Sequence, residues 1–232
     1  MRRPVSPALP LTTSAPLPLS EFWSDLRFAG GEPPELSETS AQNQTAGGEV
    51  IGASWGARLW RFPVALAAMA ADDLDVLAGR LSLLADGGRT FLAVPPYRAA
   101  PIADPDGRFI AGSSPQIATL PSGGTSLTLS GLPAGYQLTA GDFLSFERSV
   151  PARYELHRLV TGGTANTAGF SPVLQVVPAL RPGVTVGAAV KLVNPVMRGR
   201  IVPGSLRMAA RDLAIGAGPS FEVIQTLQKA ES

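Results

Sequence analysis

From about Ile102 onward, glycine and proline cut the chain into short apolar runs, and no other feature limits its fold as strongly. The runs are Ser126–Leu129, Phe143–Phe146, Tyr154–Val160, Val173–Val177, Val184–Val193 and Arg200–Val202. A last one, Phe221–Ile224, follows a Gly-Pro turn. Short strands at such regular spacing point to a sandwich or barrel, not to a helical bundle. The chain of 232 residues has 25 glycines and 22 prolines, above the roughly 12% of average usage but short of a low-complexity signature. With 45% hydrophobic residues it can bury a core, in one large domain or two small ones.

The N-terminal half is organised differently. Pro4, Pro7, Pro10, Pro16 and Pro18 break any continuous apolar segment after Arg2-Arg3, so a signal peptide is not expected. Residues 1–20 read as an extended arm in polyproline II or edge-strand conformation, because proline fixes φ and donates no backbone hydrogen bond. Glu21-Phe22-Trp23 starts a short apolar segment. The polar stretch Gly30–Gly48 has too little apolar surface to offset its ordering entropy and reads as a mobile loop. Trp60, Phe62 and Val64 then alternate as in a half-buried strand. Leu74, Leu77, Leu81 and Leu84 recur at helical spacing, with Asp72 and Asp73 at the positive end of the dipole, so a helix is expected over 72–86. Thr90–Val94 reads as the next strand. Strand, helix and strand in that order could form a βαβ unit, but no second copy follows, which argues against a doubly wound sheet.

Charge and residue counts exclude whole classes of function. Lys+Arg 19 against Asp+Glu 18 gives a net charge of +1, which lacks the basic footprint of a nucleic-acid binder. Zero cysteines remove disulfides, thiolate metal sites and a cysteine nucleophile together. One histidine leaves no multi-histidine metal cluster. Ala65–Met69 is far too short for the about 20 residues that span a membrane. The chain is expected to be made and folded in the cytoplasm.

Gly52-Ala53-Ser54-Trp55-Gly56 matches the nucleophile elbow G-x-S-x-G, with Asp72, Asp73, Asp142 and then His157 downstream in α/β-hydrolase order. That chemistry needs the serine on a strand-to-helix turn. Here the motif runs into a strand pattern, and a glycine-relieved bend or bulge is the better reading. Asp104-Pro105-Asp106-Gly107 has the start of a calcium loop, but its twelfth position is Pro115, so a turn is expected. Asn43-Gln44-Thr45 fits a glycosylation sequon with nothing else suggesting secretion. Glu32, Glu35 and Glu38 have no spacing that would hold a metal. No catalytic, cofactor-binding or metal-ligating residue and no cofactor are expected.

Ser122–Arg200 carries the most information. It contains Gly124-Thr125-Ser126-Leu127, Gly131-Leu132-Pro133, Leu138-Thr139-Ala140-Gly141-Asp142 running to Phe146, Leu156-His157-Arg158-Leu159-Val160, Pro178-Ala179-Leu180-Arg181 and Val190-Lys191-Leu192. This succession resembles the distal tail protein family, tail-tip or baseplate components of long-tailed bacteriophages and prophages, over roughly residues 46–227. The resemblance implies a mainly β, two-part chain. A split-barrel-like core, 21–101 with 199–232, would carry the helix and follow the arm 1–20. A β-sandwich or barrel module would be inserted at 102–198. It further implies a structural virion protein that forms a homohexameric ring between the tail tube protein and the hub proteins for host recognition and penetration. The N-terminal part would form the inner ring, with the inserted module pointing outward. The alternative from another class is a carbohydrate-binding β module attaching the particle to a host glycan. Such a site needs an exposed aromatic platform, and the module's Tyr136, Phe143, Phe146 and Tyr154 are residues that strand alternation can mostly place inside.

Overall fold

A computed structural model describes residues 15–37, 40–44, 46–54, 56–86, 89–148, 153–208 and 215–227. Two 3-10 turns, Leu19–Glu21 and Trp23–Asp25, precede β1 (Glu35–Leu36), β2 (Ser40–Gln44), β3 (Val50–Ser54), β4 (Trp60–Ala65) and β5 (Met69–Ala70). The helix α1 (Ala71–Ala85) leads into β6 (Phe91–Ala93). The next strands are β7 (Gln116–Thr119), β8 (Ser126–Ser130), β9 (Gln137–Leu138), β10 (Phe143–Arg148) and β11 (Arg153–Leu159). Then come β12 (Gly163–Thr164), β13 (Leu174–Val177), β14 (Val190–Lys191), β15 (Met197–Ile201), β16 (Ile215–Gly216) and β17 (Ser220–Gln225). The protein is mainly β.

Both ends of the chain build one sheet, in the order β1-β4-β17-β15-β6. β4 alternates buried and exposed along its length, sending Trp60, Phe62 and Val64 inward. Phe62 of β4 and Phe91 of β6 lie three places apart in that order, yet both rings meet Trp23, at 6.1 and 5.8 Å between centroids. The sheet therefore wraps around the Trp23 side chain, and α1 closes the same core with Leu81 and Leu84. Each such fully buried side chain contributes roughly 1.5–3 kcal/mol. Leu17 extends the β6 edge, its N–H donating to the Thr90 carbonyl and its carbonyl accepting from Leu92, both at 2.9 Å. This end of the expected arm has edge-strand character; residues 1–14 lie outside the described residues.

Several local expectations are corrected. Successive antiparallel pairings from β4 through β17 and β15 leave β6 antiparallel to β4, so α1 does not form a βαβ crossover. Gly30–Gly48 holds β1 and β2, and β2 forms a hairpin with β3; backbone pairing supplies the order that its polar side chains do not announce. Glu21-Phe22-Trp23 becomes 3-10 turns, with Phe22 and Trp23 in the core. Only Val190–Lys191 of the expected Val184–Val193 strand is one, since Gly187 at φ +84° turns the chain before it.

A second sheet runs β14-β10-β11-β13-β8-β7. Its two ends meet: Ile117 N–H donates to the Ala188 carbonyl at 3.0 Å, Gly187 N–H to Ile117 at 2.8 Å and Val190 N–H to Pro115 at 2.8 Å. The sheet thereby closes into a six-stranded barrel, which removes its edges. Leu127, Leu129, Leu144, Phe146, Leu159, Leu174 and Val190 are among the side chains that fill it.

The hairpin β10–β11 is a wall common to both cores. Leu144, Phe146 and Leu159 face the barrel interior, whereas Phe143 and Leu156 join the core of the five-stranded sheet. The Trp60 indole donates to the Leu156 carbonyl at 2.7 Å, and Ser145 Oγ accepts from Val196 N–H at 2.8 Å. Arg181 reaches across to the Arg58 carbonyl at 2.9 Å. Burial on both faces explains why Phe143, Leu144, Ser145 and Phe146 are buried without a break.

Candidate functional site

The residues with catalytic potential fall in four separate places. Ser54 ends β3, its backbone opposite Ser40, and so stands in a hairpin rather than on a strand-to-helix turn; Trp55 lies outside the described residues. Asp72 and Asp73 are in the first turn of α1. Asp142 is fully buried, its carboxylate accepting from Ile102 N–H at 2.7 Å and Thr139 N–H at 2.8 Å. Burial raises its pKa, and those two hydrogen bonds work against the rise. It pins the entry of the barrel module to the turn before β10.

His157 is also fully buried, inside the barrel wall, with its ring stacked on Phe146 at 5.2 Å. Nδ1 lies 2.8 Å from the Pro178 carbonyl, which only accepts, so Nδ1 carries the proton and donates it. Nε2 is left as a buried acceptor without a hydrogen-bond partner among the described residues, 3.9 Å from Glu155 Oε2. Burial pushes the His157 pKa down to about 4. The Glu155 carboxylate is held instead by Arg148 and Arg181. Sequence reading passed over this ionic cluster. The signal was present: Glu155 and His157 are polar at alternate positions of a strand, opposite Phe146 and Leu144, and therefore point into the barrel.

The other candidates resolve one by one. Asp104-Pro105-Asp106-Gly107 is a turn, closed by Gly107 N–H to the Asp104 carbonyl at 3.0 Å with Gly107 at φ +66°. The Asp104 carboxylate accepts from Ile110 N–H at 3.1 Å, Phe109 N–H at 3.3 Å and the Tyr136 hydroxyl at 3.4 Å. Burial, with Asp104 alongside, pushes the Tyr136 hydroxyl pKa up. Asn43 lies in β2 opposite Ile51, and Thr45 of the sequon is outside the described residues. Glu32 and Glu35 are exposed; Glu38 is outside the described residues. Among the described residues no group of three or more metal-ligating side chains assembles, and no helix is long and apolar enough to cross a membrane.

Tyr136, Phe143 and Phe146 are buried and Tyr154 is half-buried, so these four present no aromatic platform. Phe109 does: the Asp104 carboxylate fixes its backbone, Ile110 is anchored in the barrel, and the ring between them is 75% exposed.

The remaining feature is a strand pair whose edges no other described strand joins. β2 and β3 pair through five residues each, Ser40↔Ser54 to Gln44↔Val50, and among the described residues no other strand joins them. A lone two-stranded hairpin is marginal in water. Its side chains are short and polar or aliphatic, with Glu49 the single charge between Ser40 and Ser54. Such an edge pairs through its backbone and leaves no side-chain signature.

No protein-family model matches this chain, and comparison with curated proteins finds no relative.

Proposed function

We propose that this chain is a structural virion protein of a siphophage-type tail tip, forming an oligomeric, six-fold ring that joins the tail tube to the host-recognition and penetration hub. The β2–β3 hairpin carries the reading: a strand pair that no other strand joins among the described residues is completed by copies of itself or by an adjoining ring. The succession of motifs from Ser122 to Arg200, similar to the distal tail protein family, supplies the particle. The closed barrel, braced on the sheet by Trp60, Ser145 and Arg181, is suited to stand at a fixed angle outside such a ring. A net charge of +1 lets identical copies pack without strong self-repulsion. No covalent chemistry is proposed. Light scattering on the purified chain, with imaging of the same peak, tests the reading. A mass near six times 24.0 kDa with ring-shaped particles supports it. A monomer that joins no ring even with a tail tube protein overturns it.

Phe109 favours a second reading, a glycan-binding module. Beside its ring is a hollow of about 290 Å³ walled by Pro133–Gln137, with Tyr136 and Gln137 in the lining. Aromatic faces stack on the apolar faces of sugars, and the Gln137 amide supplies donors and an acceptor. Since Tyr136 is buried and bonded to Asp104, Phe109→Ala is the informative variant. It is expected to abolish binding on a glycan array while leaving thermal unfolding unchanged; array binding that survives the substitution removes this reading.

A further inference from the structure

The stretch between β13 and β14 lies against the barrel core with Leu180 and Val184. Backbone bonds pin its two ends: Leu180 N–H donates to the Gly124 carbonyl at 2.6 Å and Gly187 N–H to the Ile117 carbonyl at 2.8 Å. Between those pins, residues 181–186 belong to no strand. Two guanidiniums hold them down. Arg181 donates to Glu155 Oε2 and, through its other terminal nitrogen, to the Arg58 carbonyl at 2.9 Å. Arg148 donates to Glu155 Oε1 and to the Pro182 carbonyl, the latter at 2.9 Å. A single side chain, Arg181, thus ties the barrel to the segment that leads into β4. Its partner Arg58 adjoins Leu59, whose two bonds with Ser37 close the base of the β2–β3 excursion.

His157 Nε2 lies 3.9 Å from the same carboxylate oxygen that Arg181 holds. In the neutral imidazole Nδ1–H is committed to the Pro178 carbonyl, so Nε2 presents a lone pair and cannot compete for Oε2. A proton can enter only at Nε2, and it turns that atom into a charged donor beside Oε2. His157, Arg148 and Arg181 are then three cations around one buried carboxylate, where like charges are poorly screened. Other charged groups nearby do not offset this. Arg153, on the same face at the start of β11, is a further cation and half-buried. Arg158 turns to the other core, 5.5 Å over the Phe143 ring, and Lys191 of β14 is exposed.

The excess charge is relieved when one cation leaves. His157 and Arg148 stand on the paired strands β10 and β11. Arg181 stands on the strandless stretch, and its side chain, 12% exposed, already reaches water. Arg181 is therefore the group that departs. Burial places the exchange in acid, since it pushes the His157 pKa down to about 4 and keeps the ring neutral at pH 7.

We propose that residues 181–186 form an acid-released strap: protonation of His157 at Nε2 takes Glu155 Oε2 from Arg181, and the displaced guanidinium lets go of the Arg58 carbonyl with it. The strap then swings on its pins at Leu180 and Gly187, and the barrel loses this tie to the segment ahead of β4. The device lies within one chain and needs no ring.

His157 is the single histidine of the chain, so its imidazole is followed directly by NMR as the pH is lowered. The chain has no cysteine, so spin labels on Ala57→Cys and Thr185→Cys, both exposed positions, report the distance from the strap to the Arg58 segment. From pH 7 down to the lowest pH that keeps a cooperative melt, this distance is expected to lengthen and spread with the same midpoint as the His157 signal. With His157→Asn added it should stay as it is at pH 7. With Arg181→Met added it should be long and spread already at pH 7. Movement of equal size in His157→Asn overturns the proposal, as does a His157 signal that titrates while the distance stays fixed. A strap that remains in place in Arg181→Met overturns it too. So does unfolding before the His157 signal moves, because the strap is then not released in a folded chain. If His157→Asn does not fold, Arg181→Met and the coincidence of the two midpoints decide.

Discussion

His157 is the residue whose environment has the clearest solution consequence. Its imidazole is fully buried, and protonation would place a cation beside Phe146 in the barrel wall; the charged groups facing it are Glu155, Arg148 and Arg181. In the unfolded chain it binds a proton with a pKa near 6.5, and in the folded chain with one of about 4. Between those values the unfolded state holds more protons, so stability rises with pH across the window. The contribution is complete above about 6.5 and is lost as pH falls toward 4. A single such group gives at most roughly 1.4 kcal/mol per pH unit. His157→Asn keeps an amide donor for the Pro178 carbonyl and cannot titrate. It should lower stability at pH 7 through the lost stacking, yet show a flatter decline of the urea midpoint from pH 7 to pH 4.5. Equal declines in the two proteins would mean that His157 is not the group responsible.

At the level of elements, legibility followed side-chain periodicity. α1 was readable from Leu74, Leu77, Leu81 and Leu84, and the structure places it at Ala71–Ala85, one residue earlier than the spacing predicts. β4 was readable because Trp60, Phe62 and Val64 alternate against solvent. β2 and β3 were not, because a strand held by backbone bonds with short polar side chains has no period to detect. β10 was readable as a strand, but its burial on both faces, one toward each core, needs the tertiary arrangement. Of the candidate site, the hydrolase and calcium patterns were readable as turn and bend chemistry; the alternation of Glu155 and His157 signalled two inward polar groups but not their partner Arg181, 26 residues on, and the exposure of Phe109 follows from the seating of Ile110 in the barrel core, a tertiary contact. α1 also carries a test of its own. Gly79 lies mid-helix with open space where a Cβ would be, flanked on the exposed face by Val76 and Leu83. Gly79→Ala should raise stability by up to about 1 kcal/mol, read as a higher thermal midpoint. A fall instead would show that something approaches the helix at that point.

On the scale of the whole molecule, the question is what the β2–β3 hairpin does for a chain that folds around two other sheets. Its ladder bonds are internal to it, and the flanking chain is tied down separately. Ser37 N–H donates to the Leu59 carbonyl at 2.8 Å, and Leu59 N–H to Ser37 Oγ at 3.0 Å. These two bonds close the base of the excursion, so Ser40–Ser54 can be exchanged for a short Gly-Ser connection without opening β1 from β4. Loop closure grows only slowly with length, and a shorter connection costs the folded state little. The exchanged chain should therefore keep its far-ultraviolet spectrum and a cooperative melt close to that of the parent. If the hairpin is what neighbouring copies pair with, its mass by light scattering should fall to that of one chain. Retention of the parent's oligomeric mass would show that the copies meet elsewhere. A collapse of the melt would place the hairpin among the elements that hold the monomer together, contrary to its isolation from every other strand among the described residues.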